Sequence, residues 1–329
     1  MHVSSRVRAL LSPLWQASAP LTAASLATLP VLGACLLGLW LDPRTVLGAP
    51  AWLKPAKFAA SIALYGLTLS WILSLLSQHA RTRRFVSWSS ASVLVLELGI
   101  ICVQAARGTA SHFNAATPLD RVLYALMGLA IVGQTLVSVL VAVALWRERL
   151  ADAPLRWALR LGMLVTIAGA FLGGVMTRPT PAQLAELQSG RQVSAIGAHT
   201  VGAADGGPGL PGTGWSREHG DLRVAHFLGL HALQVLPLVA LGLRRTRRTE
   251  PERVRLVQVT AGSYAALVAL LLWQALRGQS LLAPDAVTGL ALVSWLGASA
   301  LGWALGSRLR WPHLSSQRQL AQAAATRDS

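Results

Sequence analysis

The sequence predicts an all-α, polytopic integral membrane protein of about eight transmembrane helices, arranged as two parallel four-helix repeats. Three observations predict it. Of the 329 residues, 53% are apolar and 13% charged, with a mean hydropathy of +0.50, whereas a soluble domain carries about 25% charged residues. The apolar residues fall in runs of about 20, the length a helix needs to cross roughly 30 Å of hydrocarbon. The charges sit in short clusters between those runs. These figures exclude a water-soluble globule, a disordered chain and a fibrous repeat. The runs are too long for strands and lack the period-two alternation of a membrane barrel. In lipid the backbone must close its hydrogen bonds within each segment, which leaves helices.

Eight segments qualify: 20–41, 57–77, 85–106, 122–146, 157–177, 223–243, 256–276 and 286–306. Residues 1–19 precede them as a tail, 20–146 form the first four-helix unit, 157–307 the second, and 308–329 a closing tail that is polar after about 312. Arg6 and Arg8 ahead of an apolar stretch resemble a signal peptide, but apolar residues continue past Cys35, so a retained first helix is expected. Counting Arg160 at a helix end, 19 of the 29 Lys and Arg lie in the two tails and in the 78–84, 147–156 and 244–255 connections. The positive-inside rule therefore places both termini in the cytoplasm of a bacterial-type plasma membrane. The net charge of +16 then reflects topology and anionic lipid headgroups rather than nucleic acid. Trp40, Trp52, Trp71, Trp88, Trp146, Trp157, Trp273 and Trp311 stand at or near span ends, as interfacial anchors do. Trp295 and Trp303 lie deeper and read as packing residues. Cys35 and Cys102 both fall inside spans and read as small apolar packing residues.

The two units share landmarks. Gln104-Ala105-Ala106-Arg107-Gly108 closes the third span, and Gln274-Ala275-Leu276-Arg277-Gly278 closes the seventh, 170 positions on. Arg81-Thr82-Arg83-Arg84 follows the second span and Arg245-Thr246-Arg247-Arg248 the sixth, 164 positions on. Asp120 and Asp285 each precede the last helix of their unit. Four helices per unit is an even number, so both units insert the same way up, related by an axis along the membrane normal. Gln104 with Arg107 and Gln274 with Arg277 are each three apart on one helical face, and the two pairs are expected to face each other across the repeat interface.

Ionisable groups inside a bilayer are costly and tend to face a bundle interior or a cavity. Glu97 lies well inside the third span, on nearly the same face as Gln104. It reads either as a proton- or cation-accepting carboxylate or as a structural partner for a neighbouring helix. His226 and His231 are five residues apart and diverge by roughly 140° on a straight helix, so a metal held by both needs another helix, with His112 the best partner and His199 a weaker one. Lys54 and Lys57 are the only lysines and flank Pro55. Lys57 reads as a counter-ion for Glu97 or, more simply, as a cation reaching the interface. The connection 178–222 is the longest. Residues 181–187 read as a short amphipathic turn and the Gly/Pro-rich 202–214 as a mobile segment, possible material for a lid.

Two chemical uses fit this set. In one, His112, His226 and His231 ligate a metal, haem b first, while Arg107, Arg277, Gln104 and Gln274 hold its propionates. In the other, the Arg and Gln pairs hold a small polar or anionic solute while Glu97 or His231, the two candidate chemical groups, changes protonation during transport. The plainer alternatives are histidines that only bond between helices, arginines that reach the headgroups, and an assembly or scaffold subunit. No HExxH motif, nucleophile elbow or phosphate loop occurs, which disfavours a membrane hydrolase. A periplasmic-type reporter fused within 178–222 is expected to be active and one within 244–255 silent; the opposite pattern reverses the orientation.

Overall fold

The computed structural model describes residues 2–308; Trp311 and the tail after 312 lie outside the described residues. Ten helices follow in order: α1 His2–Ala17, α2 Ala19–Leu41, α3 Leu53–Leu75, α4 Ala80–Ala106, α5 Pro118–Arg147, α6 Ala153–Met176, α7 Pro181–Gln188, α8 Leu222–Leu243, α9 Glu250–Leu276 and α10 Ala286–Arg308. All but α1 and α7 are long and apolar enough to cross a membrane, so the chain is a multi-pass membrane protein. The eight coincide with the eight apolar runs. Several begin a turn or so earlier, because caps rather than hydropathy set helix ends. Thr117 accepts from the Asp120 amide ahead of Pro118, Asp152 from the Leu155 amide, and Thr249 forms a reciprocal capping box with Glu252.

Residues expected to form a tail are helical in α1, which packs against α2 and α3. Helix α2 begins past Ser18, whose buried hydroxyl shares a hydrogen bond of 2.5 Å with Ser87 of α4. The arginine clusters fall at different places. Arg81–Arg84 occupies the first turn of α4, whereas Arg245–Arg248 precedes α9 altogether. Helices α4 and α9 are nevertheless both 27 residues long and both end on the Gln-x-x-Arg-Gly sequence.

Each half packs in the same order. The closest pairs are α2 with α3 and α6 with α8; α4 then rests on α2 and α3, and α9 on α6 and α8. The last helices, α5 and α10, lie against α4 and α9. Small residues let backbones approach where lipid supplies no drive between helices. A Cβ on Gly169 of α6 would come within 2.6 Å of the Gly229 backbone of α8, and one on Gly66 of α3 would meet the Ser25 hydroxyl of α2. One apolar core runs through α2, α3, α4, α5 and α6 and includes Leu233 of α8, so it crosses from one half into the other.

The longer connections gather at one end of the bundle. The 42–52 connection holds a two-stranded hairpin, β1 Thr45–Val46 with β2 Ala49–Pro50. Between α6 and α8, β3 Thr200–Val201 pairs with β4 Gly220–Asp221. This connection forms a cap over the bundle. The Ala115 amide donates to Ser194 at 2.8 Å and the Ile196 amide to the Phe113 carbonyl at 2.9 Å. The stretch expected to be mobile, 202–214, is a defined turn instead. Glycines 206, 212 and 214 take left-handed φ, and two cations of the bundle clasp its carbonyls. Lys57 Nζ donates to Thr213 at 2.5 Å and Arg223 Nη2 to Gly214 at 2.7 Å.

Candidate functional site

The two Gln–Arg pairs do not face each other. Each arginine instead bonds, within its own half, the aspartate ahead of the next helix. At the end of α4, Arg107 Nη1 and Gln104 Nε2 donate to Asp120 Oδ1 at 2.7 and 2.9 Å, and the Thr117 hydroxyl donates to Oδ2 at 2.6 Å. Arg107 also donates to the side-chain Oε1 of Gln104. At the end of α9, Arg277 grips Asp285 with two bonds of 2.6 and 3.1 Å and donates to Thr288 at 2.8 Å. Gln274 donates to the Ser280 carbonyl at 2.8 Å. Gly108 and Gly278 take φ of +71° and +73°, the left-handed turn that lets amides just beyond a helix return to its last carbonyls. Both arginines thus act as clamps on a helix–turn–helix, Arg107 through its Nη1 and Arg277 through both terminal nitrogens. Hydrogen bonds from Arg277 hold the Asp285 carboxyl far below the usual carboxylate range.

The histidines also separate. His231 of α8 lies against the Phe227 ring, with centroids 4.2 Å apart. His226 has its Nδ1 2.8 Å from the Gly169 carbonyl of α6, and the glycine at 173 leaves room for its ring. His112, between α4 and α5, stands between Phe58 and Phe113, with Nδ1 3.1 Å from the Ser111 hydroxyl. Among the described residues no group of three or more His, Cys, Asp or Glu is placed to hold a metal ion. His112, His226 and His231 therefore do not converge on one ion; the angular divergence along α8 persists, and Phe227 engages the His231 ring.

A different constellation does assemble beneath the cap. Phe113, 5% exposed and at a φ of +61°, packs against both His112 and His199. A bulky residue in the left-handed region is strained, and such strain clusters at functional sites. His199 meets Asp205 Oδ2 at 2.9 Å through its Nδ1, while the 199 and 200 amides donate to the same carboxylate. Asp221 caps α8 and pairs with Arg223 at 2.5 Å. Burial, then the charges of Lys54, His199 and His226, push the His112 imidazole well below its ordinary value. Burial likewise lowers His199 against the opposing pull of Asp205. Burial alone would raise Asp205, but its bonds to His199 and the backbone hold it far below the usual range.

Glu97 is 2% exposed, and neither carboxyl oxygen has a hydrogen-bond partner. The cation whose charge reaches it is Lys54, not Lys57, which is spent on the cap. Lys54 Nζ sits 5.9 Å from the Phe58 ring centre and makes no hydrogen bond or ion pair among the described residues. Its field is shared with Lys57, Arg223 and Asp205. Sequence reasoning singled out Glu97, His112 and His226 and named Lys54 without a role; it gave no role to Asp205 or Arg223. The use of lysine only at 54 and 57, in a chain that otherwise employs arginine, was the available signal. Comparison with known proteins finds no matching family model, no matching curated protein and no matching solved structure.

Two predictions follow from these contacts. Asp120 is 2% exposed and keeps its bonds to Gln104 and Thr117, so Arg107→Ala leaves a buried carboxylate short of its cation and is expected to cost about 1–3 kcal/mol. Asp285 has a side chain 42% exposed, where water screens the pair, so Arg277→Ala is expected to cost much less. Thermal unfolding in detergent ranks the two, and equal losses would contradict the assignment. The lowered histidines set the sign of the pH effect. A group whose folded pKa lies below its unfolded value stabilises above the unfolded value, about 6.5 for histidine, and the contribution fades as pH falls through the folded value. Asp205 acts in the same direction at lower pH. Melting temperature should therefore fall between about pH 7.5 and pH 5, less steeply in His199→Gln; a flat profile in the native chain would contradict it.

Proposed function

We propose that this membrane protein binds a small anionic or polar solute beneath the cap and carries it across the bilayer together with a proton. Glu97 is the proton carrier and Lys54 the solute's charge partner. The observation that carries the reading is the Glu97 carboxyl, buried with both oxygens unpartnered, while the Lys54 ammonium, which rests near the Phe58 ring and makes no ion pair among the described residues, acts on it. An unsatisfied buried polar group costs roughly 1–3 kcal/mol, more when charged, and buried exceptions to pairing call for a role. Because neither oxygen accepts a hydrogen bond, gaining or losing a proton breaks none. Neighbouring charge governs the exchange: an anion seated on Lys54 cancels the attraction that favours the ionised carboxylate, so solute and proton bind together. Neutral His112 and His199 supply hydrogen bonds without adding charge. His231 stands nine residues into α8 from the capped end, the depth at which Glu97 stands in α4, and is the second protonatable position. Buried hydroxyls continue toward the opposite end at Ser90, at Thr22 with Ser70, and at Ser18 with Ser87. The shared packing order and matching helix ends support two duplicated four-helix units, parallel in the bilayer. The capped end is assigned to the outside of a plasma membrane from the arginine distribution.

A second reading rests on His226. Its Nδ1 bond to the Gly169 carbonyl leaves Nε2 free, as in imidazoles that hold a metal, and His112 is near enough for the two charges to interact. His112 and His226 would then hold a haem iron through their imidazole nitrogens, and the haem would supply one-electron chemistry. One absorbance spectrum of the purified protein decides it, since a colourless preparation removes this reading.

For the transport reading, proteoliposomes containing a pH-sensitive dye are exposed to a panel of small carboxylate and phosphate anions. At least one anion should drive proton entry through the native protein, with the movement lost in Glu97→Gln and the anion dependence lost in Lys54→Gln. Proton movement unaltered by Glu97→Gln would overturn the assignment.

A further inference from the structure

A second site lies at the opposite, arginine-rich end and does not depend on the solute reading. There one face of α4 turns outward. Arg81, Arg84, Phe85, Trp88, Ser89 and Ser92 recur at three- and four-residue intervals and line a groove of about 470 Å³. Phe85 and Trp88 are 57% and 60% exposed. Ser89 returns its hydroxyl to the Phe85 carbonyl at 2.7 Å, which leaves the lower groove apolar. The arginines above it are exposed and make no hydrogen bond or ion pair among the described residues. Three other arginines at this end are engaged: Arg244 pairs with Asp152, Arg156 donates to the Leu150 carbonyl, and Arg160 donates to the carbonyls of 145, 146 and 148.

We propose that this groove binds one anionic phospholipid, its phosphate held by Arg81 and Arg84 and an acyl chain laid along Phe85, Trp88 and Ser92. The order along the helix matches a lipid molecule. Guanidinium groups stand at the level of the headgroups, and the aromatic residues follow within two turns of Arg81, toward the boundary with hydrocarbon where such rings partition. Guanidinium suits a phosphate because its planar fork can donate two parallel bonds. Two unpaired guanidinium groups also discriminate by charge. A lipid with net negative charge is attracted, whereas the ammonium of a zwitterionic headgroup is opposed.

Full-length protein in mild detergent is titrated separately with phosphatidylglycerol and phosphatidylcholine, and bound lipid is counted by native mass spectrometry. The native chain should retain one phosphatidylglycerol in preference to phosphatidylcholine. At about 1 kcal/mol for each basic residue near an anionic surface, Arg81→Gln with Arg84→Gln should weaken that binding roughly 30-fold. Arg81→Lys with Arg84→Lys should keep the preference, and Trp88→Ala should weaken binding without abolishing the preference. Arg245→Gln with Arg247→Gln, on the neighbouring connection, should leave binding as it was. Unchanged retention by the double glutamine variant, or an equal loss in the 245/247 variant, would overturn the proposal. Equal retention of both lipids by the native chain would overturn it as well.

Discussion

The arrangement beneath the cap depends on one constraint: charge placed inside a lipid-embedded bundle must be paired, bonded or put to use. Almost every such group at the capped end is accounted for. Asp120 takes Arg107, Gln104 and Thr117; Asp221 takes Arg223; Asp205 takes His199 and two amides; Lys57 is bound to the Thr213 carbonyl. Glu97 and Lys54 stand outside this accounting. The proposed site rests on that contrast: a buried carboxyl with no hydrogen-bond partner, and an ammonium that rests near the Phe58 ring.

The cap is held by the same groups that surround the site. Lys57 and Arg223 clasp the 213–214 turn, Phe113 bridges the two loop histidines in a strained conformation, and the backbone of 113–115 pairs with 194–196. Anything that alters charge beneath the cap therefore acts on its fastenings too. On the proposed reading, the cap and the charges beneath it are expected to respond together.

Hydropathy made the spans legible, because a segment of about 20 apolar residues has few other fates. Glu97 was legible for a related reason, as a lone carboxylate in an apolar run has nowhere inexpensive to go. The pairing of Arg107 with Asp120 and of Arg277 with Asp285 was not. Both members were visible as landmarks of the two units, yet the hydrogen bonds depend on how tightly Gly108 and Gly278 turn the chain back, and no spacing rule gives that. The order of the 202–214 turn was hidden because glycine and proline signal a turn without saying what fastens it. The histidines were read as one set because they fall near one end. Whether rings converge depends on the packing of α6 against α8, which places His226 on the Gly169 carbonyl and leaves His231 with Phe227.

The central claim is that Glu97 exchanges a proton inside the bundle, free of hydrogen-bonding partners. An infrared difference spectrum of the detergent-purified protein, recorded across a pH titration, tests it most directly. The account predicts a carboxyl band that titrates in the native chain and is missing in a folded Glu97→Gln variant. Identical titrations for the two proteins would contradict it.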